Sequence, residues 1–407
     1  MSTWSKAIAG IVLLALLFEG KVVYLTAYSL LALALGLRWA VRRASAQLSF
    51  RRTLSRERLF PGETAQVRLE VTNPSPFPLP WILLEESVDK ELVCREGAGS
   101  AFATSIAGRS SQVIEYSIQA KKRGVYGVGP LLATLGDPIG FEQTQVRMDG
   151  RSEVVVYPRV YPLDALGISG GAVTGVVKSF RRYLEDPTRV AGIRDHAPGE
   201  SIRYVHWKAT AHTGSLKVKS FEPTRHVDVV VLLDLVRDHY RSWNVEAMSE
   251  LAVEVAASLL AEGCQKRQEF GFFALARLGR QSPDFLISSG MRKGETHLAG
   301  ILEMLAQIEL CDQPALLGEA LDRIAGRVAQ SAVVFVVAPR IDPGTQHALV
   351  RFVKAGRRAV VVEVSEERER LTLPRGISHV RVSYRGDLVQ TMARRNPGGA
   401  AQRESTA

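Results

Sequence analysis

An apolar run from Ala7 to Phe18, a break at Glu19, Gly20 and Lys21, and a second apolar run from Val22 to Leu37 leave this chain little freedom at its N-terminus. A single helix over 7–40 would measure about 51 Å at 1.5 Å per residue, well beyond a hydrocarbon core of about 30 Å. A transmembrane helical hairpin over 1–45, turning at Glu-Gly-Lys, fits better. A cleaved signal peptide fits poorly, because Leu17-Phe18-Glu19-Gly20 is not a small-residue cleavage site and a second apolar run comes at once. Lys6 precedes the first run, and Arg38, Arg42, Arg43, Arg51 and Arg52 crowd the far flank. That bias predicts that the soluble part faces the cytoplasm.

The same flank absorbs part of the chain's basic excess. Lys and Arg number 52 against 42 Asp and Glu, a formal charge of +10, and each basic residue near an anionic leaflet gains about 1 kcal/mol. With 407 residues, two or three folded units are expected. Cys94, Cys264 and Cys311 are far apart and odd in number, so they form neither a zinc motif nor a disulfide framework and read as reduced and structural.

From 46 to 160 the grammar is short strands and turns. Val67, Leu69 and Val71 alternate with polar residues before Asn73-Pro-Ser-Pro-Phe-Pro78 breaks the run, and Ile114, Tyr116 and Ile118 alternate again. This predicts an immunoglobulin-like β-sandwich. GVYGVG at 124–129 lacks the glycine spacing of a dinucleotide site. Residues 161–226 read as a linker and a polar, basic preamble that joins the two halves and lies along the first strand of the C-terminal half.

Over 227–395 strand-like runs at 227–234, 270–278, 332–338 and 358–364 alternate with amphipathic helices near 244–262, 296–309, 315–329, 344–354 and 387–395. That alternation predicts a doubly wound α/β domain, a parallel sheet covered on both faces, with ligands bound outside the strands' C-terminal ends. Residues 396–407 read as a disordered tail.

Asp234 closes the first of these strands, where chemistry would sit. A metal-dependent adhesion site needs Asp-x-Ser-x-Ser there, with hard oxygen ligands for Mg²⁺. This register supplies Asp234, Val236 and Asp238, a degenerate set without the hydroxyls. A capping role for Asp234 is favoured. His196, His206, His212 and His226 have no ligand spacing for zinc. No nucleophile elbow, His-Glu-x-x-His pair or phosphate loop is present, so no cofactor is expected. Arg203, Trp207, Lys208, Lys217 and Lys219 mix aromatic and basic residues, yet too few aromatics accompany them for a nucleic-acid partner.

The preamble carries a more specific signal. Arg194, Pro198, Gly199, Arg203, Trp207, Lys208, Thr210, Ala211, Gly214, Val218, Lys219, Phe221 and Glu222 match a signature placed just before the first sheet strand. Upstream, Arg123, Gly124, Tyr126, Gly129, Pro130, Asp137, Pro138, Gly140 and Phe141 match a second segment. On these residues the chain resembles the domain-of-unknown-function 58 family. Glu200, His206 and His212 depart from its pattern, standing where relatives carry Asp, Asp and Arg. The resemblance implies a membrane-anchored protein with a von Willebrand factor A-like domain that works with a MoxR-type AAA+ ATPase. The expectation is a non-enzymatic adaptor in the assembly or maturation of protein complexes, with Arg194, Pro198, Gly199, Arg203, Trp207, Lys208, Lys219 and Glu222 as its interaction residues. Two other classes stay open: Mg²⁺-dependent ligand binding, and a cryptic hydrolase built on Cys264 and a distant histidine.

Overall fold

The computed structural model describes residues 10, 21–95, 101–136, 143–166, 168, 185–197, 202–223, 228–240, 244–279, 286–312, 316–365, 373 and 377–382. They fall into two compact units, Met1–Tyr157 and Pro158–Ala407.

The first unit begins with helix α1 (Lys21–Gln47). From Tyr24 onward it is long and apolar enough to cross a membrane. Leu25, Tyr28, Leu33 and Leu35 are exposed along it. The expected first arm and the turn at Glu19–Lys21 lie outside the described residues, apart from Gly10 and Lys21. The last turns of α1 behave differently: Val41, Ala44 and Ser45 are buried, and Trp39 meets Phe77 edge-on at 5.3 Å.

Ten strands come next: β1 (Ser49–Leu54), β2 (Arg58–Leu59), β3 (Thr64–Asn73), β4 (Leu79–Val88), β5 (Leu92–Arg95), β6 (Ala101–Ile106), β7 (Ser110–Ala120), β8 (Gly124–Gly136), β9 (Gln143–Met148) and β10 (Ser152–Val156). One sheet has the order β1-β3-β7-β5; the other runs β2-β10-β8-β4-β6, with β9 also on β8. The alternation read in the sequence is the reason for the packing. Ala65, Val67, Leu69 and Val71 point inward from β3, and Ile82 and Leu84 from β4, so both sheets contribute to shared cores with Leu131, Ala133 and Leu135. Each fully buried Leu, Ile or Val contributes about 1.5–3 kcal/mol.

Arg52 departs from its expected place in the membrane flank. Its guanidinium is buried against the Glu86 carboxylate, to which the Tyr116 hydroxyl also donates. Arg52 comes from β1, Tyr116 from β7 and Glu86 from β4, so the cluster ties one sheet to the other. Gly129 makes room for it. At φ +105° a Cβ there would fall 2.2 Å from the Gly150 carbonyl, which itself accepts from Arg52 at 2.9 Å.

The second unit opens with Tyr161, Leu163, Leu166 and Ile168, all buried, and the Tyr161 N–H donates to Ser258 Oγ at 2.9 Å. Strands β11 (Glu185–Asp195) and β12 (Lys217–Pro223) pair antiparallel as a sheet of their own, with helix α2 (Trp207–Thr213) between them in sequence. The preamble was expected along the first strand of the large sheet. That strand, β13 (Val229–Asp234), instead has both edges occupied, by β14 (Phe270–Leu275) and β18 (Val333–Ala338). With β11 supplying its ladder, β12 has its backbone groups satisfied elsewhere.

Between β14 and β18 lie β15 (Arg277–Leu278), β16 (Leu286–Ser288) and β17 (Ile308–Glu309), with β15 and β17 paired to each other. The sheet is completed by β19 (Arg358–Val364) and β20 (Ser378–Val382), in the order β16-β14-β13-β18-β19-β20. Numbered within this sheet the order is 3-2-1-4-5-6. Every pairing is parallel except the edge strand β16. Helices α3 (Val245–Gln265), α4 (Glu295–Gln307), α5 (Leu317–Ala325) and α6 (Pro343–Lys354) complete the unit. The α5 and α6 side chains share one core with Val230, Leu232, Val334, Val336 and Val361. Residues one position along face the other way, and α3 packs on these strands. The helix expected near 387–395 and the tail from 396 lie outside the described residues.

Candidate functional site

The strand order reverses between β13 and β18, the place in an open α/β sheet where a crevice forms outside the carboxyl ends of the strands. Asp234 ends β13 there, fully buried. Its Oδ1 accepts from the Val236 N–H at 3.0 Å, an Asx turn that bends the chain off the strand. Its Oδ2 lies 2.6 Å from His239 Nδ1. His239 closes a one-turn 3-10 segment, Arg237–His239, and the next residue, Tyr240, returns its hydroxyl to the Asp234 carbonyl at 2.8 Å. Seven consecutive residues, Asp234 to Tyr240, thus fold back on the aspartate that begins them.

The electrostatics result from that wrapping. Burial pushes the Asp234 carboxyl above its ordinary range, against the opposing pull of the His239 and Val236 hydrogen bonds. The bond to Asp234 raises His239 in turn, ahead of the burial that would lower it. A proton is therefore held on the pair to higher pH than on a free imidazole. The ring is 27% exposed, and its Nε2 has no hydrogen bond among the described residues.

On the other side of the reversal, Arg340 and Asp342 follow the end of β18, whose Val337 lies opposite Leu233. Asp342 is committed. It caps α6, accepting from the Thr345 N–H at 3.1 Å and from the Thr345 hydroxyl. Burial alone would raise its pKa, but these hydrogen bonds outweigh it and hold the carboxyl below the usual range. Arg340 is exposed and makes no hydrogen bond or ion pair among the described residues. Arg237 is paired with Asp312 at 2.7 Å.

Chemically, a neutral His239 offers Nε2 as a proton acceptor and a protonated one offers it as a donor. Among the described residues no hydroxyl or thiol bonds to Nε2. Cys264 lies at the end of α3, its thiol pushed up by burial and away from thiolate reactivity. Among the described residues no group of three or more His, Cys, Asp and Glu side chains could hold a metal ion. Asp238 is exposed in the 3-10 turn.

The signature residues sit apart from this edge in the order of the chain, around β11, α2 and β12, and much of the motif is explained by how α2 is built. His206 is the N-cap, its Nδ1 accepting from the Ala209 N–H at 3.1 Å. His206 is thus a helix cap, a position that Asp, Asn, Ser and Thr fill more often than His. Gly214 ends the helix in the left-handed region at φ 69°. Thr210 Oγ1 accepts from the Lys217 N–H at 3.0 Å and so joins α2 to β12. Val218 and Val205 form a small buried contact. Lys217 pairs with Asp195 across the hairpin.

Other signature side chains face water. Arg194 and Arg203 are exposed, each with further contacts of its own. Lys208 is exposed, and Lys219 is half-buried opposite Ile193. Trp207 is 66% exposed beside Ile202 and Tyr204 in the chain, which are exposed too. Pro198 and Gly199 lie outside the described residues, as does the side chain of Glu222. In the upstream segment Arg123 to Pro130 falls at and within β8, with Tyr126 donating to the Arg123 carbonyl at 2.8 Å; Asp137, Pro138, Gly140 and Phe141 lie outside the described residues.

Residues 192–391 match the family model described as "Protein of unknown function DUF58". That segment belongs to the DUF58 family. It takes in the end of β11, α2, β12 and the large sheet, so the signature and the Asp234 edge both lie inside it. A curated relative, "Uncharacterized protein YeaD" of Bacillus subtilis (strain 168), is 24% identical over 263 residues, or 64% of this chain. The match spans 62% of that relative's length. Among solved structures, the chain is similar to the CARDB domain of the PF1109 protein from Pyrococcus furiosus, at 14% identity and a TM-score of 0.19, over 27% of this chain and 91% of that one. It is similar as well to a type II cohesin domain of Acetivibrio cellulolyticus, at 10% identity and a TM-score of 0.21, over 26% and 95%.

The sequence located Asp234 and missed its partners His239 and Tyr240, and the helix cap Asp342 beyond the next strand. Two signals were readable: Asp342-Pro343 is a helix-start pair, and His239 comes five residues after Asp234, within reach of one turn.

Proposed function

We propose that this chain is a non-enzymatic, membrane-anchored adaptor whose α/β domain, von Willebrand factor A-like, serves as a protein-binding platform on the cytoplasmic side. The observation that carries this reading is the closed bonding of Asp234. Both oxygens of the acid at the strand reversal are engaged by Val236 and His239, which favours a polar protein-binding edge over a cation seat. The 3-2-1-4-5-6 order with an antiparallel third strand supports the von Willebrand A-like fold. The apolar helix α1 supports anchoring, and Arg38, Arg42 and Arg43 on its C-terminal side support a cytoplasmic orientation. Exposed Ile202 and Trp207 give the signature hairpin a surface suited to a protein partner.

The family resemblance adds a MoxR-type AAA+ ATPase as that partner. The test is retention of the purified ATPase by the full chain in lipid nanodiscs, with and without nucleotide. Retention in at least one state is expected; no retention in either would sink the partner assignment.

A further inference from the structure

We propose that the outer edge of β11 takes up one extended segment of a protein partner, acidic and apolar by turns, as an added antiparallel strand. The inference deepens the protein-binding reading and rests on it. The two edges of the β11–β12 hairpin differ, and that difference carries it. The edge of β12 is closed: the Lys217 carbonyl accepts from the His206 N–H at 2.8 Å, the Lys217 N–H donates to Thr210 Oγ1 at 3.0 Å, and Val218 bridges Val205. The edge of β11 is open. The His196 N–H donates inward to the Leu216 carbonyl at 3.0 Å, and backbone groups alternate sides along a strand, so the N–H groups of Ile193 and Asp195 face outward. Neither of them, nor the Ile193 carbonyl, has a hydrogen bond among the described residues. The Asp195 carbonyl receives only the Arg194 guanidinium of its own strand, at 3.4 Å. Such an edge is a template for another strand.

The side chains along the edge define what it fits. Ile193 is 49% exposed and Val190, earlier in the same strand, 51%. Ile193 lies opposite Lys219 and so shares its face of the hairpin, while the next residue, Arg194, is exposed on the other face. Lys217 is engaged by Asp195, but Arg194, Lys219 and the exposed Arg203 and Lys208 leave the hairpin basic. An incoming strand that alternates apolar and acidic residues covers Ile193 with the one and meets Arg194 with the other. An anionic lipid surface offers charge and apolar contact but no backbone groups to fill the ladder, and a second copy of this chain brings the same basic charge against it.

The experiment uses the full chain in neutral-lipid nanodiscs and the fluorescent peptide Thr-Val-Glu-Val-Glu-Val-Thr, followed by anisotropy. Saturable binding is expected. Exchanging both glutamates for lysine should weaken it at least tenfold, and so should N-methylation of the valine and glutamate amides, which removes the donors and keeps every side chain. Ile193→Pro deletes the outward N–H at an edge position where proline is tolerated and should abolish binding, whereas Ile193→Val, which keeps the N–H, should retain it; amide exchange in β12 reports that the hairpin is intact in both. The proposal is overturned if the lysine or the N-methylated peptide binds as well as the parent, or if Ile193→Pro with an intact hairpin still binds. It is overturned too if anionic lipid in the nanodisc displaces the peptide, or if the unaltered chain is a dimer that Ile193→Pro separates. Its failure is separable from that of the adaptor reading. Weak peptide binding with ATPase retention that survives Ile193→Pro removes the strand edge and keeps the adaptor. Peptide binding lost in Ile193→Pro, without ATPase retention, does the reverse.

Discussion

Each compact unit buries a carboxylate beside a basic side chain and a tyrosine, and the two arrangements differ in one respect. In the sandwich, Glu86 is enclosed by Arg52 and Tyr116, which reach it from the opposite sheet, and the Arg52 and Glu86 side chains are 3% and 0% exposed. At the α/β edge, Asp234 is equally buried, but its partner His239 keeps a quarter of its ring in water. The sandwich cluster spans long sequence separations and joins two sheets. The edge cluster is made within seven consecutive residues, Asp234 to Tyr240. A sealed charge cluster can only hold a fold together, whereas one with an outward donor has something to offer a partner.

Breaking the sealed cluster should have the largest effect. Glu86→Ala leaves the Arg52 guanidinium buried and uncompensated, which costs about 3–5 kcal/mol. Urea unfolding of the full chain in nanodiscs should show the sandwich transition moving to lower denaturant, while Glu86→Gln, which keeps a hydrogen-bond acceptor, moves it less. Burial, and then the Glu86 charge, keep the Tyr116 hydroxyl protonated far above its ordinary range, so Tyr116→Phe should leave no pH signature below that range.

The open cluster should respond more weakly and with a pH dependence. Asp234→Ala removes the acceptor for Val236 and His239, a loss of about 1–3 kcal/mol, read as the urea midpoint of the α/β unit. In the unaltered chain, His239 has a folded pKa above the unfolded one. Its contribution is complete below the unfolded value of about 6.5 and fades as pH rises through the folded value. Asp342 works in the opposite direction: its lowered carboxyl contributes above the unfolded value and loses this as pH falls through the folded one. Stability of the α/β unit measured from pH 5.5 to 8 should therefore decline with pH, and His239→Gln should flatten that decline. An unchanged slope would place the titration elsewhere.

The smallest expected change is local. His206→Ala removes the α2 cap and costs about 0.5–2 kcal/mol, seen as faster amide exchange in α2 and β12 with the large sheet unaffected. His206→Asp, a strong N-cap residue, should match or exceed the original protection.

How much of this was legible in the sequence depends on the range over which each feature is encoded. Strands β13, β14, β18 and β19 were readable because a sheet covered on both faces demands unbroken apolar runs, and all four have them. Strand β16, three residues long, and β20, with its mixed exposure, carry too little pattern to announce themselves. In the preamble Leu216 to Lys219 alternates as any half-exposed strand does, a pattern that does not say which strand it pairs with. The alternation was real, but β11 was the partner. Arg52 looked like one more membrane-flank arginine, since nothing local points to Glu86 thirty-four residues away. Asp234 was placed by its strand, yet the fate of its carboxylate was set by a 3-10 turn that no periodicity reports.

The central claim is that the Asp234 carboxylate serves its own chain and not a cation. Calorimetric titration of the full chain in nanodiscs with Mg²⁺ and with Mn²⁺ tests it most directly. The account predicts no saturable heat that distinguishes the unaltered chain from Asp234→Ala. A saturable heat that is lost in Asp234→Ala would contradict it.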